Sequence, residues 1–309
     1  MTLPANEAGR PGDPFLLAGP PVAAERRAAV QADVEAYKRR RGHAPALAVV
    51  FVGRNAPSAV YLEQIIKGCV RVGIDGRVVE IPGRATSTAL RKEIEHLNRD
   101  PLVAGIIVQM PLPKHISLRA VIDTIDPTKD VDGLHPLNAG LLALGYDGFV
   151  PATAYAAVEL LKAYGIPIDG KRAVVVGRSN VVGKPVARLL LGEHATVSTA
   201  HTHTQDLGGL TRQAEILVVA AGVPGLITGT MLKPGAVVVD IGINVVGGKV
   251  VGDVDYESAC TVVSAITPVP GGVGPLTNAI LLGQLVHAAR GTGPALEVRR
   301  ALQRMAGLL

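Results

Sequence analysis

The chain has 309 residues, of which 48% are hydrophobic and 18% charged, so it is too apolar for a disordered protein and long enough for two domains. Its net charge of +5 is spread out, and the basic stretches lack interleaved aromatic residues, which argues against a nucleic-acid partner. No apolar span of about 20 residues, export signal or cysteine motif is recognisable, so we expect a cytoplasmic protein with no membrane partner and no metal site.

The first half of the chain alternates strand-like and helix-like segments. Residues 1–15 are rich in proline, glycine and polar residues, and we expect a flexible tail there. A helical pattern runs from Val22 to Arg40, and a buried strand is predicted at 45–53. An amphipathic helix, a strand, a helix capped by Ser87 and a third strand ending in "VQMPLP" follow. This alternation predicts parallel strands joined by right-handed crossovers.

The second half has the rhythm of an open, doubly wound nucleotide-binding sheet. A strand, a glycine turn and a helix are predicted in "KRAVVVGRSNVVGKPVARLLL", three more buried strands follow, and "TPVPGGVGPLT" leads into a last long helix. The predicted fold class is therefore two-domain α/β, with an N-terminal α/β domain and a C-terminal Rossmann-like doubly wound parallel sheet. We expect the first domain at 16–152 with a C-terminal helix at 290–309, and the second domain at 153–289.

Two loops of the second domain suit a dinucleotide. Between Gly177 at a strand end and a helix beginning near Gly183, backbone amides and the helix N-terminus can face a phosphate, and Arg178 offers a guanidinium. The spacing differs from G-x-G-x-x-G, and an ordinary turn with a surface arginine explains the loop equally well. The next strand ends in "AHTHT" at 200–204 with no acidic residue, which suits a 2′-phosphate better than a 2′-hydroxyl, unless its histidines are only surface residues.

Polar residues at strand ends and loops are candidates for substrate binding. Gln109 ends a buried strand, where α/β sheets bind ligands, although a capped strand end is the simpler explanation. Asp130 and Asp132 alternate, so in an extended segment one carboxylate would serve structure and the other a ligand such as the amidine-like edge of a pterin. Taken alone, this segment fits an Asx turn better. Thr277 either contacts a phosphate or nicotinamide, or belongs to a constrained turn.

The helix that contains "SAVYLEQIIKGCV" places Ile65, and not a lysine, beneath Tyr61. Residues four apart share a helix face, whereas Lys67 lies six positions on, roughly 120° around the helix. Tyr61 and Lys67 therefore form no pair on one helix face. No Ser–His–Asp grouping, H-E-x-x-H motif or cysteine cluster is evident in the sequence, which fits chemistry performed by a cofactor.

The chain from about residue 16 to 290 resembles the methylenetetrahydrofolate dehydrogenase/methenyltetrahydrofolate cyclohydrolase family. The motifs that carry the resemblance are "VQMPLP", "KDVDGLHPLNAG", "VVVGRSNVVGKPVA", "KPGAVVVDIGIN", "GDVD" and "TPVPGGVGPLT", in this order. The resemblance implies an NADP-dependent enzyme of one-carbon metabolism. It also implies a homodimer, with a tetrahydrofolate derivative bound in a cleft between the domains.

The resemblance implies roles for individual residues. Tyr61 would stack near the pterin, and Gln109 and Asp132 would hydrogen-bond it, so these three form the expected catalytic and substrate-binding set. Pro270 and Gly271 would complete the substrate side. The residues implied to bind the cofactor, the last two of them beside the nicotinamide, are Gly177, Arg178, Ser179, Gly183, Thr202, Ile243 and Thr277.

Two departures from the family pattern concern the hydrolytic activity. The family's cyclohydrolase lysine stands four residues after the tyrosine, where this chain has Ile65, and Lys67 matches a less critical lysine. The family's "PCTP-x-G" loop reads "PATAYA" at 151–156. Hydride transfer needs alignment but no general base, whereas hydrolysis gains about 10²–10⁴-fold from a positioned acid or base. We therefore expect an NADP-dependent dehydrogenase with weak or absent cyclohydrolase activity.

Two alternatives stay open. In the first, Lys67 or another group replaces the missing lysine, and the enzyme is a full dehydrogenase/cyclohydrolase that produces 10-formyltetrahydrofolate. In the second, the chain is a non-catalytic paralogue that only binds folate or nucleotide. The intact cofactor loop argues against this second alternative.

Overall fold

The computed structural model describes residues 13–53 and 56–306, and the side chains of 56–61 lie outside the described part. The strands, in chain order, are β1 (Phe15–Leu16), β2 (Ala46–Val52), β3 (Asp75–Ile81), β4 (Val103–Val108), β5 (Arg172–Val176), β6 (Thr196–Ala200), β7 (Ile216–Val219), β8 (Val237–Asp240), β9 (Asn244–Val246), β10 (Lys249–Val251) and β11 (Ala265–Ile266). The α-helices are α1 (Gly19–Arg41), α2 (Ala56–Val72), α3 (Ser87–Arg99), α4 (Leu118–Ile122), α5 (Pro136–Leu144), α6 (Ala152–Ala163), α7 (Gly183–Gly192), α8 (Leu207–Thr211), α9 (Tyr256–Cys260), α10 (Val273–Arg290) and α11 (Pro294–Ala306).

The chain forms two compact units. Unit 1 combines the residues up to Glu25 with Thr153–Thr277, and unit 2 combines Arg26–Ala152 with the residues from Asn278 onwards. Two of the boundaries fall inside α1 and α10, and not near residues 16 and 290 where the sequence suggested them. A continuous helical pattern carries no mark of such a boundary, which explains the difference.

Unit 1 contains a six-stranded sheet in the order β1-β11-β8-β7-β5-β6, in which all neighbours are parallel. Strands β5, β7 and β8 are mostly buried runs of aliphatic residues, as expected for parallel strands that are covered on both faces. Strand β5 lies between β6 and β7, so the winding reverses there, and such switch points are where doubly wound sheets bind nucleotides. The sheet confirms the predicted Rossmann-like fold.

Unit 2 contains a parallel sheet in the order β3-β2-β4. All seven residues of the central strand β2 are buried, and helices α2 and α3 connect the strands. Side chains from β2, α3, β4 and α4 form one core cluster, which includes Val50, Leu90, Ile106 and Val121. This parallel sheet confirms the predicted α/β class of the first domain. Among the described residues, no helix is both long enough and apolar enough to span a bilayer.

Two predicted element ends are wrong. The expected tail at 1–15 falls mostly outside the described residues, but its last residue, Phe15, forms β1 and pairs with β11 at the edge of the unit 1 sheet. An aromatic side chain next to an open sheet edge outweighs the polar composition of the residues before it. The cap of α3 is Thr86, whose Oγ1 accepts a 3.1 Å hydrogen bond from the N–H of Ala89, and Ser87 is the first helical residue.

Candidate functional sites

Gln109 follows β4 and has a free acceptor in unit 2. Its N–H donates to the carbonyl of Val50 over 2.9 Å, which continues the pairing of β4 with β2. Its side chain is buried, and Nε2 donates to the carbonyl of Met110 over 3.2 Å. The Oε1 atom is also buried and accepts no hydrogen bond from any group that the structure describes. Leaving a buried acceptor unpaired costs about 1–3 kcal/mol, so this atom is available to a donor on a ligand.

Asp130 is the structural member of the predicted aspartate pair. Its buried carboxylate accepts hydrogen bonds from the N–H of Leu134 (3.1 Å), the N–H of His135 (2.8 Å) and Nδ2 of Asn138 (2.7 Å). Burial raises the pKa of Asp130, and these hydrogen bonds oppose that rise. Asp130 thus holds the turn that leads from the sheet into α5.

Asp132 is held differently. It is half-buried, and burial, followed by the charge of Asp130, raises its pKa to about 7, while the N–H of Ala152 lowers it. The segment is a turn and not an extended strand, so the predicted alternation of faces does not apply. The hydrogen-bond partners distinguish the two carboxylates instead. A carboxylate whose pKa is raised by burial and by a neighbouring charge is a candidate ligand group.

Gln284 on α10 is a supporting residue that sequence reasoning missed. Its Nε2 donates to the carbonyls of Val131 and Val150, each over 2.9 Å, and its Oε1 accepts a 3.0 Å hydrogen bond from the N–H of Val150. These bonds fix the backbone next to Asp132. A signal was present, because Gln284 interrupts the apolar run "AILLGQLV" in a helix of the core.

The described part of α2 confirms that Ile65 and Lys67 differ in environment. Ile65 is completely buried, whereas Lys67 is exposed and pairs with Glu63 over 2.7 Å. Both members of this ion pair keep 60% of their side-chain area exposed. The side chain of Tyr61, the expected stacking residue, lies outside the described part of the chain.

The turn after β5 in unit 1 is built around two glycines. Gly177 has a φ of 128°, and a Cβ there would clash with the carbonyl of Ala220, while a Cβ at Gly183 would clash with the carbonyl of Gly177. Ser179 Oγ accepts hydrogen bonds from the N–H groups of Val182 (3.1 Å) and Gly183 (3.3 Å). Ser179 therefore uses two of the backbone donors at the start of α7 that the sequence assigned to a phosphate.

The ends of β5 and β6 bring a basic group and a hydroxyl cluster to one edge. Val176 pairs with Ala200, so Arg178 and the "HTHT" turn follow neighbouring parallel strands. Arg178 and Thr202 are both exposed. Partial burial, followed by the charges of Arg178 and His203, lowers the pKa of His201. Because β5 and β6 are paired and parallel, Arg178 and this turn leave the sheet side by side, as a site for an anionic phosphate requires.

The remaining candidates lie in unit 1 as well. Ile243 follows β8 and is 71% exposed, and Thr277 lies in the first turns of α10, where its hydroxyl donates to the carbonyl of Val273 over 3.3 Å. Pro270 is exposed, and the carbonyl of Gly271 accepts a 2.8 Å hydrogen bond from Gly19. Strands β8 and β11 are neighbours, so the Ile243 segment and the loop that feeds α10 leave the sheet at the same edge.

No group of three His, Cys, Asp or Glu side chains able to hold a metal ion occurs within 13–53 and 56–306. Cys69 is buried, which raises its pKa to about 12, and Cys260 is half-buried. These thiols therefore offer no reactive thiolate near neutral pH.

Two family models match the chain. The model described as tetrahydrofolate dehydrogenase/cyclohydrolase, catalytic domain, matches residues 17–132, and the corresponding NAD(P)-binding domain model matches 151–292. Two curated relatives are each called "Bifunctional protein FolD": one from Moorella thermoacetica is 51% identical over 276 residues, covering 89% of this chain and 98% of the relative, and one from Roseiflexus sp. is 49% identical over 277 residues, covering 89% and 96%.

Solved structures give the same result. A bifunctional FolD from Campylobacter jejuni aligns with a TM-score of 0.87 and 44% identity, covering 90% of this chain and 99% of that one. A Trypanosoma brucei FolD, described as complexed with NADP cofactor and inhibitor, aligns with a TM-score of 0.86 and 37% identity, covering 90% and 98%.

Proposed function

We propose a function from the premise that these matches establish: the chain belongs to the tetrahydrofolate dehydrogenase/cyclohydrolase family. The proposed reaction is the NADP-dependent oxidation of 5,10-methylenetetrahydrofolate to 5,10-methenyltetrahydrofolate. Within the structure, the observation that carries this proposal is Gln109, whose buried Oε1 has no donor among the described groups. A folate ring with N–H donors offers the missing partner.

The substrate side of the proposal uses Gln109 and Asp132. The aminopyrimidinone edge of a pterin presents several N–H donors, and a carboxylate and an amide oxygen are the matching acceptors. Asp132 is half-buried with its pKa raised to about 7, so binding of such donors relieves the cost of its charge. Tyr61 is proposed to stack on the ring, and Pro270 and Gly271 to contact the substrate, on the family resemblance alone.

The cofactor side of the proposal uses the β5 and β6 ends. Gly177 and Gly183 let the turn pack tightly against the backbone of Ala220 and of Gly177 itself, and Ser179 shapes the turn between them. This turn at the switch point of the sheet is proposed to receive the pyrophosphate. Arg178 and Thr202 are proposed to bind the 2′-phosphate, because a guanidinium and a hydroxyl suit a dianion. Ile243 and Thr277 are proposed to lie beside the nicotinamide. The named NADP complex of a relative supports this choice of cofactor.

For hydride transfer, the main task of the protein is to align the two carbons between which the hydride moves. When bound, NADP supplies the carbon that accepts hydride. The C–H bond of the bridging methylene breaks, both electrons leave with the hydrogen, and a cation delocalised over two nitrogens remains on the folate. No proton moves in this step, so no general base is needed. Gln109 and Asp132 fix the ring, and near-attack geometry of this kind supplies up to about 7–11 kcal/mol of the barrier reduction.

Hydrolysis of the methenyl product is the second candidate function. The curated relatives are named bifunctional, and their names favour the bifunctional alternative over our expectation of weak or absent cyclohydrolase activity. Ile65 argues against a full rate of hydrolysis, because it is completely buried at the position where the resemblance places an acid–base lysine. We therefore propose both reactions, with hydrolysis slower than hydride transfer because an isoleucine moves no proton.

One pair of assays tests the proposal. Purified protein is given methylenetetrahydrofolate with NADP, and separately methenyltetrahydrofolate alone, and NADPH formation and methenyl decay are followed by absorbance. We expect fast NADPH formation and a slower, enzyme-dependent decay. Tight folate binding without turnover in either assay would support the non-catalytic paralogue instead. The proposed homodimer is tested in the same preparation by analytical ultracentrifugation, where a monomer mass contradicts it.

A further inference from the structure

One buried carboxylate connects two loops at the cofactor edge of unit 1. Asp253 is completely buried, and its Oδ2 accepts hydrogen bonds from the N–H groups of Ala221 (2.6 Å) and Gly222 (2.8 Å). Its Oδ1 accepts a 2.8 Å hydrogen bond from Nδ2 of Asn244. Ala221 and Gly222 follow β7, and Asn244 comes directly after Ile243, beyond β8. A single side chain thus ties together the segments that leave two neighbouring strands.

A second buried carboxylate holds Asp253 in place. Asp240 Oδ1 accepts hydrogen bonds from the N–H groups of Asp253 (3.1 Å) and Gly242 (2.8 Å), and its Oδ2 accepts one from Val254 (2.9 Å). Burial is the main cause that raises the pKa of Asp240 to about 6, and the charge of Asp253 adds to it. Two acidic side chains buried side by side are costly unless they are fully hydrogen-bonded, as these are.

The backbone next to the two carboxylates has no room for a side chain. A Cβ at Gly242 would clash with the carboxylate of Asp253, and a Cβ at Gly252 would clash with the carboxylate of Asp240. The backbone segments at Gly242 and Gly252 therefore pack directly against the two carboxylates. The hydrogen bonds and close contacts of Asp240 and Asp253 thus fix the position of each loop, although they bury little apolar surface.

The hairpin β9–β10, which contains Asn244, has few apolar contacts of its own. Ile243 and Val245 are each 71% exposed, and Val246 and Val250 are also exposed. An isolated two-stranded hairpin is marginally stable at best. The hydrogen bond from Asn244 to Asp253 is therefore a principal restraint on the segment that carries Ile243.

We propose that Asp253 is a positioning residue for the dinucleotide: by bonding Asn244, Ala221 and Gly222 together it sets the two loops that receive the nicotinamide half of NADP. This inference rests on the proposed function. Dinucleotides bind outside the carboxyl ends of the strands in a doubly wound sheet, and both loops leave the sheet at those ends. Pre-set loops bind a ligand without a further ordering cost.

The test measures cofactor binding directly, by NADPH fluorescence titration, together with tetrahydrofolate binding by calorimetry. In Asp253→Asn one of the two acceptor oxygens becomes an NH2 donor, which has to face either the N–H groups of Ala221 and Gly222 or Nδ2 of Asn244. At least one of the two loops therefore loses its restraint, and we expect the NADPH Kd to rise about tenfold or more. Tetrahydrofolate binding is expected to stay within about twofold of wild type, since its proposed polar ligands, Gln109 and Asp132, lie in unit 2. The matched control is Asp255→Asn, because Asp255 caps α9 two residues away and asparagine caps equally well.

A second variant keeps the proposal testable where Asp253→Asn fails to fold. Asn244→Ala removes only one of the three hydrogen bonds, and we expect a smaller rise of NADPH Kd with a loss of stability that lowers the melting temperature but leaves the protein folded. A wild-type NADPH Kd in folded Asp253→Asn, or in Asn244→Ala when the first is unfolded, overturns the inference. Equal losses in Asp253→Asn and Asp255→Asn also overturn it. Wild-type protein that binds no NADPH refutes the proposed function itself.

Discussion

Asn138 donates a 2.7 Å hydrogen bond from Nδ2 to Oδ2 of Asp130, and both side chains are buried in unit 2. The same amide group donates to the carbonyl of Pro127 and accepts from the N–H of Phe149. Asn138 therefore closes the turn that carries Asp132, while leaving the carboxylate of Asp132 to other partners. Asn138 thus supports the proposed folate site from outside, through hydrogen bonds to Asp130 and to the backbone.

Asn138→Ala is expected to lower the free energy of unfolding by about 3 kcal/mol, because it leaves a buried carboxylate and two backbone groups without their partner. Equilibrium urea unfolding measures this loss. Tetrahydrofolate affinity should fall with it, since the turn of Asp132 loosens. A variant with wild-type stability and weakened folate binding would show that Asn138 contacts the ligand and does not brace the turn.

Asp132→Asn is expected to stabilise the free protein at pH 8 and to weaken folate binding. The folded pKa of Asp132 is raised from 3.8 to about 7, so this carboxyl favours the folded state fully below about pH 4. That contribution is lost as the pH rises through 7. About three pKa units correspond to at most about 4 kcal/mol, which sets the upper limit of the gain at pH 8.

Urea unfolding of Asp132→Asn and wild type at pH 5 and pH 8 measures the effect. The gain should shrink at the lower pH, where Asp132 is already largely protonated. Asp147→Asn is the matched control, because Asp147 is exposed in the same unit and its substitution should change stability little at either pH. An equal gain at both pH values would refute the assignment of the raised pKa.

Gln109→Leu is expected to separate stability from activity. The substitution removes a buried acceptor that no described group satisfies, so the free energy of unfolding should be equal or higher. The KM for methylenetetrahydrofolate should rise about tenfold, because the pterin loses one hydrogen bond to a buried partner. Gln31→Leu, at an exposed position of α1, is the control and should leave KM unchanged. A destabilised Gln109→Leu with wild-type KM would assign this glutamine to the fold alone.

Local patterns predicted the sheets but not the polar contacts around them. Buried runs such as β2 and β8 are recognisable because a parallel strand is apolar on both faces. The β9–β10 hairpin was missed although Gly247 and Gly248, with φ of 57° and 79°, form the expected two-residue turn in "NVVGGKVV". The hairpin was missed because its apolar residues directly follow the predicted strand in "GAVVVDIGIN" and were not separated from it.

From the sequence, the candidate site was predictable only where its residues lie within one short segment. Asp130 and Asp132 were found in one segment, but which of them the fold uses depends on Asn138 and on burial. Gln284 lies 153 residues from Val131, which it holds, and no local pattern encodes such a pairing. Such a long-range hydrogen bond depends on the tertiary fold and leaves no mark in the local sequence.

Lys67→Ala is expected to change neither stability nor hydrolysis appreciably. The ion pair of Lys67 with Glu63 is 60% exposed on both sides, and such pairs contribute at most about 1 kcal/mol. Its side chain is also on the exposed side of α2, away from the buried Ile65. Methenyltetrahydrofolate decay at equal enzyme concentration provides the measurement. A loss of tenfold or more would show that Lys67 replaces the missing lysine after all.

Ile65→Lys is expected to increase hydrolysis and to cost stability. A lysine at this position shares the helix face of Tyr61 and supplies the proton-transfer group that isoleucine lacks, which is worth about 10²–10⁴-fold. Because Ile65 is completely buried, the new ammonium is desolvated, and we expect a loss of about 1–3 kcal/mol in urea unfolding. Ile65→Met is the matched control, with an apolar chain of similar length, and should leave both quantities nearly unchanged. NADPH formation should stay within a few-fold of wild type, since hydride transfer requires no base at this position. A folded Ile65→Lys that hydrolyses methenyltetrahydrofolate no faster than Ile65→Met would contradict the link between position 65 and the hydrolytic rate, and would point to an acid–base group elsewhere in unit 2.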